Sequence, residues 1–330
     1  MSKGFPNLGN TCYMNAALQC LSHIPMLMYD CEELILDIDK KKSDNDYQLM
    51  KEWLSLQRNM WDSTNDNTVD TMPLLKEFIK RCNNEDIYFE SFNQNDTSDF
   101  LNTFMDLLHE SIKRKVNIKI NGIAENKYDE LKIESIKSWK KYFENNYSYI
   151  IKKFYSQLLS LVSCPNCEHI STNHEPIMTI TLTLKMEYNT IYDSLDELVK
   201  EEVLDTNNKW KCEKCNEHVR SHKKLYFWNL SDILIISIKQ FRKSGKLDQH
   251  IDFPETLDMK KYCISSEQKK EYELYGVCIH SGGLGGGHYY AICKNYKSNK
   301  WYVHNDSNVS ETSFDSLKTK NPYCFFYIKK

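Results

Sequence analysis

The chain has 330 residues, 41% hydrophobic and 27% charged, an ordinary balance for a globular protein. Its formal net charge of −3 leaves no electrostatic footprint for nucleic acid or for a membrane surface. No apolar run approaches the ~18–20 residues of a membrane span, and the start, Met1-Ser2-Lys3-Gly4-Phe5-Pro6, lacks the apolar core of a secretion signal, so the expected setting is intracellular, cytoplasmic or nuclear.

The first predicted helix runs from Cys12 to Ile24, with Met14, Ala17, Leu18 and Leu21 on one face and Pro25 as its stop. Cys12 lies at its mouth, after Gly9-Asn10-Thr11, where backbone dipoles favour a thiolate. Such a cysteine, taken alone, is ordinarily a small buried residue, so the chemistry depends on finding its partners. Residues 37–70 read as polar and loop-rich, with Lys40-Lys41-Lys42 as a solvated face. A second helix is expected near Asp96, with Phe100, Leu101, Phe104, Leu107 and Leu108 as its buried stripe. Asp96 and Asp99 stand as N-cap and third helical residue. Residues 110–150 are charged and helical in part. From about 154 the period moves toward two. Thr179 to Leu184 alternates as a strand with one wet face, and Asp232 to Phe241 is a more continuously apolar strand. Four further runs close the chain: 272–280, 288–293, 301–304 and 323–328. Helices first and strands later predict an α+β fold.

The last hairpin supplies a partner for Cys12. A turn centred near Lys297 places His288 opposite Asp306 and Tyr289 opposite Asn305, so an imidazole is held by a carboxamide or a carboxylate. A histidine held in that way can deprotonate a cysteine. Ahead of it, Ser281-Gly282-Gly283-Leu284-Gly285-Gly286-Gly287 has five glycines in seven residues, a segment suited to close approach of another chain. His280, His109, His169, His174, His218 and His222 are weaker base candidates. Sequence alone does not bring Cys12 and His288 together.

The chain has 12 cysteines, read as thiols or metal ligands in the absence of a secretion signal. Cys164-Pro165-Asn166-Cys167 and Cys212-Glu213-Lys214-Cys215 form two knuckles that can give four thiolates to one tetrahedral Zn²⁺.

Residues 5–21, Phe5-Pro6-Asn7-Leu8-Gly9-Asn10-Thr11-Cys12-Tyr13-Met14-Asn15 through Leu21, resemble the cysteine box of the ubiquitin-specific proteases. Tyr275-Gly276-Val277, His280, Gly287-His288-Tyr289-Tyr290 and Trp301-Tyr302-Val303-His304-Asn305-Asp306 resemble their histidine box. Gln94-Asn95-Asp96-Thr97-Ser98-Asp99-Phe100 is similar to a further motif, with Asp99 in place of the usual Glu. The run 234–241 followed by Phe253-Pro254 is similar to another, with Ser237 and Gln240 where His and Arg are usual. The motifs keep the family order from residue 4 to residue 327.

The resemblance implies one papain-like catalytic domain over 1–330. Its thumb would be mainly 1–153, its zinc-ribbon fingers mainly 154–232, and its antiparallel β palm mainly 233–330. It implies a cysteine-dependent deubiquitinase cleaving after the C-terminal glycine of ubiquitin through a Cys12 acyl-enzyme. The same chemistry on a ubiquitin-like modifier, or a non-catalytic ubiquitin-binding module, stand as alternatives. His288 would be the base, Asn305 or the adjacent Asp306 its orienting partner, and Asn7 the oxyanion donor. Asp96, with Gln94 and Asp99 beside it, would hold an arginine of ubiquitin's tail; Tyr13, Phe241 and Tyr289 would line the tail channel. Cys164, Cys167, Cys212 and Cys215 would hold one structural zinc with no part in the chemistry. The expected partners are ubiquitin and its conjugates, with no nucleic acid, no membrane and a monomeric chain.

Overall fold

A computed structural model describes residues 2–25, 27, 47–63, 66–90, 93–242, 245–265, 270–283 and 286–330. The Lys40-Lys41-Lys42 run and Leu284-Gly285 of the glycine segment lie outside these. Helix α1 (Cys12–Ser22) ends slightly earlier than its periodicity suggests, with His23 as C-cap. Every one of its residues is buried, not only the predicted face. The reason is its place: it lies between helix 97–112 on one side and strand Gly286–Asn295 on the other.

The region read as loop-rich contains helix α2 (Gln48–Trp61). Its low mean hydropathy hid a stripe of Leu49, Met50, Trp53, Leu54, Leu56 and Met60, all buried. Helix α3 (Met72–Asn84) follows, with proline in its first turn. Helix α4 (Thr97–Ile112) starts where the sequence placed it, with Asp96 as N-cap accepting from Ser98 N at 2.7 Å. Helix α5 (Lys127–Phe143) is the helical part of the charged stretch.

The central sheet runs in the order 308–312, 300–305, 286–295, 271–283, 322–329, 233–239, 179–183, with strand Thr256–Asp258 added beside 271–283. Its pairings are antiparallel, except that Thr179–Thr183 runs parallel to Ile233–Lys239 at one end. Strand 233–239 is apolar on both faces because both are covered. Ile233 and Ile235 belong to the core shared with the helices, where helix Tyr149–Phe154 packs on this strand, whereas Leu234, Ile236 and Ile238 share a second core with Ile191, Leu195, Phe253 and Phe325. Helix 191–199, between the two cysteine pairs, was not foreseen; Thr190 and Asp193 form a capping box at its start.

A separate four-stranded sheet, in the order 170–177, 156–163, 222–229, 202–203, projects the cysteine pairs. Cys164 follows strand Ser156–Ser163, and Cys212 follows the two-residue strand Trp210–Lys211. Among the described residues no helix is long and apolar enough to cross a membrane.

Candidate active site

Cys12 begins α1 after a turn that bends through Gly9 at φ 105° and Asn10 at φ 54°. The Asn7 side chain builds this turn: its Oδ1 accepts from Gly9 N and from Thr11 N, each at 3.1 Å. Leu8 N donates to Thr11 Oγ1 at 2.9 Å. The N-cap Thr11 makes no side-chain cap, so the first-turn amides are left to the thiol and to whatever binds there.

The base comes from the hairpin of Gly286–Asn295 and Lys300–Asn305. Its register lies one residue from the expected one, with Ala291 opposite His304 and Cys293 opposite Tyr302. His288 Nε2 still reaches Asn305 Oδ1 at 2.6 Å, while Asp306 Oδ2 stands 3.9 Å from the same nitrogen. A carboxamide oxygen only accepts, so His288 carries its proton on Nε2 and leaves Nδ1 as the basic atom. Asp306, at φ 51°, is taken up by two amides. Asn7 Nδ2 donates to its Oδ2 at 3.0 Å and Asn15 Nδ2 to its Oδ1 at 2.8 Å.

Cys12 is 5% exposed. Burial pushes its thiol above the usual range, the Tyr289 backbone amide opposes this, and the Asp306 carboxylate adds to the rise. The helix mouth does not offset that burial. Among the described residues no hydrogen bond joins Cys12 to His288, whose Nε2 is on Asn305.

A cavity of about 210 Å³ opens on Cys12. It is lined by Tyr13, Gln94, Asp96, Phe241 and Tyr289, all sequence candidates, together with Asn95, His280 and Gly287. Asp99 is exposed on α4 and does not line it. Each oxygen of Asp96 has one donor: Oδ1 caps α4 and Oδ2 accepts from the Tyr323 hydroxyl. His280, missed as a lining residue, pairs with Tyr289 across the glycine hairpin, and counting back through Gly282 and Gly287 would have found it. Burial and then Lys246 bring its imidazole down to about 4. Gly287 permits the approach: a Cβ there would lie 2.3 Å from His280 Nε2. The two departures Ser237 and Gln240 face inward. Ser237 Oγ is 3.0 Å from Ser98 Oγ, and Gln240, 1% exposed, donates to Pro322 O at 3.1 Å.

At the tip of the smaller sheet the four sulphur atoms of Cys164, Cys167, Cys212 and Cys215 lie within 4.8 Å of one another. The two knuckles have matching backbones. Cys164 N donates to His169 O and Cys212 N to Glu217 O, both at 2.9 Å, and Glu168 and Asn216 take positive φ of 57° and 59°. Four convergent thiols form a set that can hold a metal ion.

The family described as ubiquitin carboxyl-terminal hydrolase matches residues 3–327. Over 335 aligned residues the chain is 32% identical to human "Ubiquitin carboxyl-terminal hydrolase 2", covering 98% of this chain and 54% of that protein. It is 29% identical to an Arabidopsis thaliana relative, "Ubiquitin carboxyl-terminal hydrolase 25", covering 98% of this chain and 47% of the relative. The chain thus spans about half the length of these curated relatives. Among solved structures it is similar to a SAGA DUB module bound to monoubiquitin. That match has a TM-score of 0.79 at 25% identity, over 100% of this chain and 69% of the other. The same module bound to ubiquitin aldehyde gives 0.78 at 25% identity, over 100% and 70%.

Proposed function

Because the chain belongs to the ubiquitin carboxyl-terminal hydrolase family, we propose that it is a thiol-dependent deubiquitinase, built as one thumb–palm–fingers domain and acting as a monomer. The observation that carries this is the cavity that opens on Cys12 between α4, the Phe241 segment and the glycine hairpin. Its glycine wall, with Gly283, Gly286 and Gly287, and its aromatic lining leave room for an extended tail ending in glycine.

Cys12 Sγ attacks the carbonyl carbon of ubiquitin's terminal glycine. The bond to the lysine amine breaks, a thioester forms, and water then hydrolyses it to the free carboxylate. His288 Nδ1 takes the thiol proton, gives it to the leaving amine and later activates the water. Asn305 fixes the imidazole tautomer, and Asp306 anchors the hairpin through Asn7 and Asn15. Asn7 Nδ2 has two protons, one of them on Asp306; the second is available to the tetrahedral oxyanion beside the Cys12 amide. Asp96, Gln94, Tyr13, Phe241 and Tyr289 line the path of the tail, and Asp99 lies at its edge. In the free chain the thiol is protonated, and entry of the tail brings His288 onto it.

Cys164, Cys167, Cys212 and Cys215 would hold one structural Zn²⁺, which would fix the fingers on which ubiquitin's body rests. Within the cluster Cys212 is the thiol most easily ionised, because, against desolvation, the amides of Cys215 and Lys214 and the neighbouring thiols lower it, while Cys167 and Cys215 are raised in exchange. The cysteines among the described residues are all free thiols, as suits an intracellular setting.

The test is reaction with ubiquitin bearing a C-terminal electrophile, beside ubiquitin-like counterparts and a Cys12→Ala control. Labelling of the unaltered chain by ubiquitin alone is expected. No adduct with ubiquitin removes the proposal, and labelling that survives Cys12→Ala removes the nucleophile.

A further inference from the structure

At the opposite end of the cysteine helix from Cys12 lies a second group of ligand-type side chains that the proposed chemistry does not use. His23 caps α1. Cys293 and His304 come from neighbouring strands of the base hairpin, whose register sets Ala291 opposite His304. The three are 0%, 0% and 2% exposed, and one ligand atom from each lies within 4.8 Å of the other two. With metal–nitrogen and metal–sulphur bonds of about 2.0 and 2.3 Å, ligand atoms sit about 3.3–3.8 Å apart, so the group needs only a small contraction to close on an ion.

The ring nitrogens are arranged as ligation requires. His23 Nδ1 is 2.8 Å from Gln19 O. A carbonyl only accepts, so the proton is on Nδ1 and Nε2 presents a lone pair. That Nε2 is buried and has only the Cys293 thiol beside it. His304 Nε2 lies 3.4 Å from Ser2 Oγ, and its Nδ1 is buried and unpartnered. Folded cores rarely leave a buried imidazole nitrogen such as His304 Nδ1 unsatisfied. Cys20 Sγ, 3.8 Å from Cys293 Sγ, places a further sulphur next to the group.

We propose that His23, Cys293 and His304 form a second, buried site for a thiophilic d¹⁰ cation, Zn²⁺ or Cu⁺. Two imidazoles and a thiolate in an enclosed apolar setting select soft or borderline ions over Mg²⁺ or Ca²⁺. Binding releases the Cys293 thiol proton to solvent and involves no change of oxidation state. The ion ties the far end of the Cys12 helix to the two strands that carry His288 and Asn305.

The test uses the full chain with its four-cysteine cluster first loaded with one equivalent of zinc. Further Zn²⁺, or Cu⁺ under anaerobic reducing conditions, is then offered, and bound metal is counted by mass spectrometry. X-ray absorption reads the ligand shell. A second equivalent with nitrogen in its first shell is expected from one of the two ions, which identifies the metal. His304→Phe should fall from two equivalents to one while keeping the unaltered circular dichroism spectrum. If that variant does not fold, Cys293→Ser carries the same reading. A single equivalent with both ions overturns the proposal, as does a second equivalent that a folded variant retains.

Discussion

Asn15, on the first turn of the helix that carries Cys12, donates its side-chain amide to Asp306 Oδ1 at 2.8 Å. Asp306 follows directly on Asn305, whose Oδ1 is the atom in contact with His288 at 2.6 Å. The bond therefore spans the seam between the helix of the nucleophile and the hairpin of the base. Two adjacent residues divide the work: Asn305 touches the imidazole, and Asp306 holds the seam. Phe5 N reinforces it by donating to Asp306 O at 3.0 Å.

That division predicts different defects at the two positions. Asn305 is exposed, so Asn305→Ala should leave stability nearly unchanged and lower kcat by about 10²–10⁴-fold, the range of a misdirected general base. Asp306→Ala removes the carboxylate acceptor of Asn7 Nδ2 and one of three acceptors of Asn15 Nδ2, which keeps Phe5 O and Pro6 O, and should cost about 1–3 kcal/mol in denaturant unfolding as well as activity. Hydrolysis of a fluorogenic ubiquitin C-terminal amide, measured beside urea melts, separates the two. Equal loss of activity with equal loss of stability in both variants would contradict it.

Gly287 is fixed by contact with its neighbours. A Cβ there would lie 2.3 Å from His280 Nε2 and 2.6 Å from Ser281 O. Gly287→Ala should push His280 into the cavity beside Cys12, cost about 1–3 kcal/mol through overpacking and raise KM for ubiquitin substrates at least tenfold. Normal KM with intact folding would show that the hairpin yields freely.

The sheet, the hairpin and helix α4 were legible because each has a clear period and clear ends. Helix α2 was not, because its stripe of Trp53, Leu54 and Leu56 is diluted by charged neighbours until the segment averages as polar. The cysteine helix was legible as a helix but not as a wholly buried one, since nothing local announces that a second layer covers it. Cys12 and His288 each stood out by their neighbours. Their placement across one seam depends on Asn15 and Asp306, 291 positions apart, and no spacing rule links such a pair. Asp96 shows a further limit: its capping role was readable, but the claim of Tyr323 on its other oxygen was not.

Acid should act on the cavity wall through His280. Its imidazole is lowered from 6.5 to about 4 by burial and then by Lys246, so the folded chain favours the neutral ring. Its contribution to stability is fully present above pH 6.5 and is lost as pH falls toward 4. His280→Gln removes this linkage. The unaltered chain should lose more melting temperature than the variant between about pH 7 and about pH 5, a difference small enough to need paired scans. An equal loss in both would place the acid sensitivity elsewhere.

The last expectation concerns the resting state of Cys12. Burial is the main influence on its thiol and raises it, with the Tyr289 amide in partial opposition and the Asp306 carboxylate adding to the rise. A group raised in this way is protonated throughout the neutral range, so the reactive fraction should grow about tenfold for each pH unit below its pKa. Alkylation of Cys12 by iodoacetamide in the ubiquitin-free chain, located by peptide mapping, should climb steadily from about pH 7 without levelling before 9.0, the ordinary thiol value. Because His288 is bound to Asn305 and makes no hydrogen bond to the thiol, His288→Ala should leave that profile in place. The same variant should abolish turnover, since the imidazole is needed once the tail is bound. A plateau below about pH 8 that disappears in His288→Ala would mean that the ion pair exists before substrate arrives.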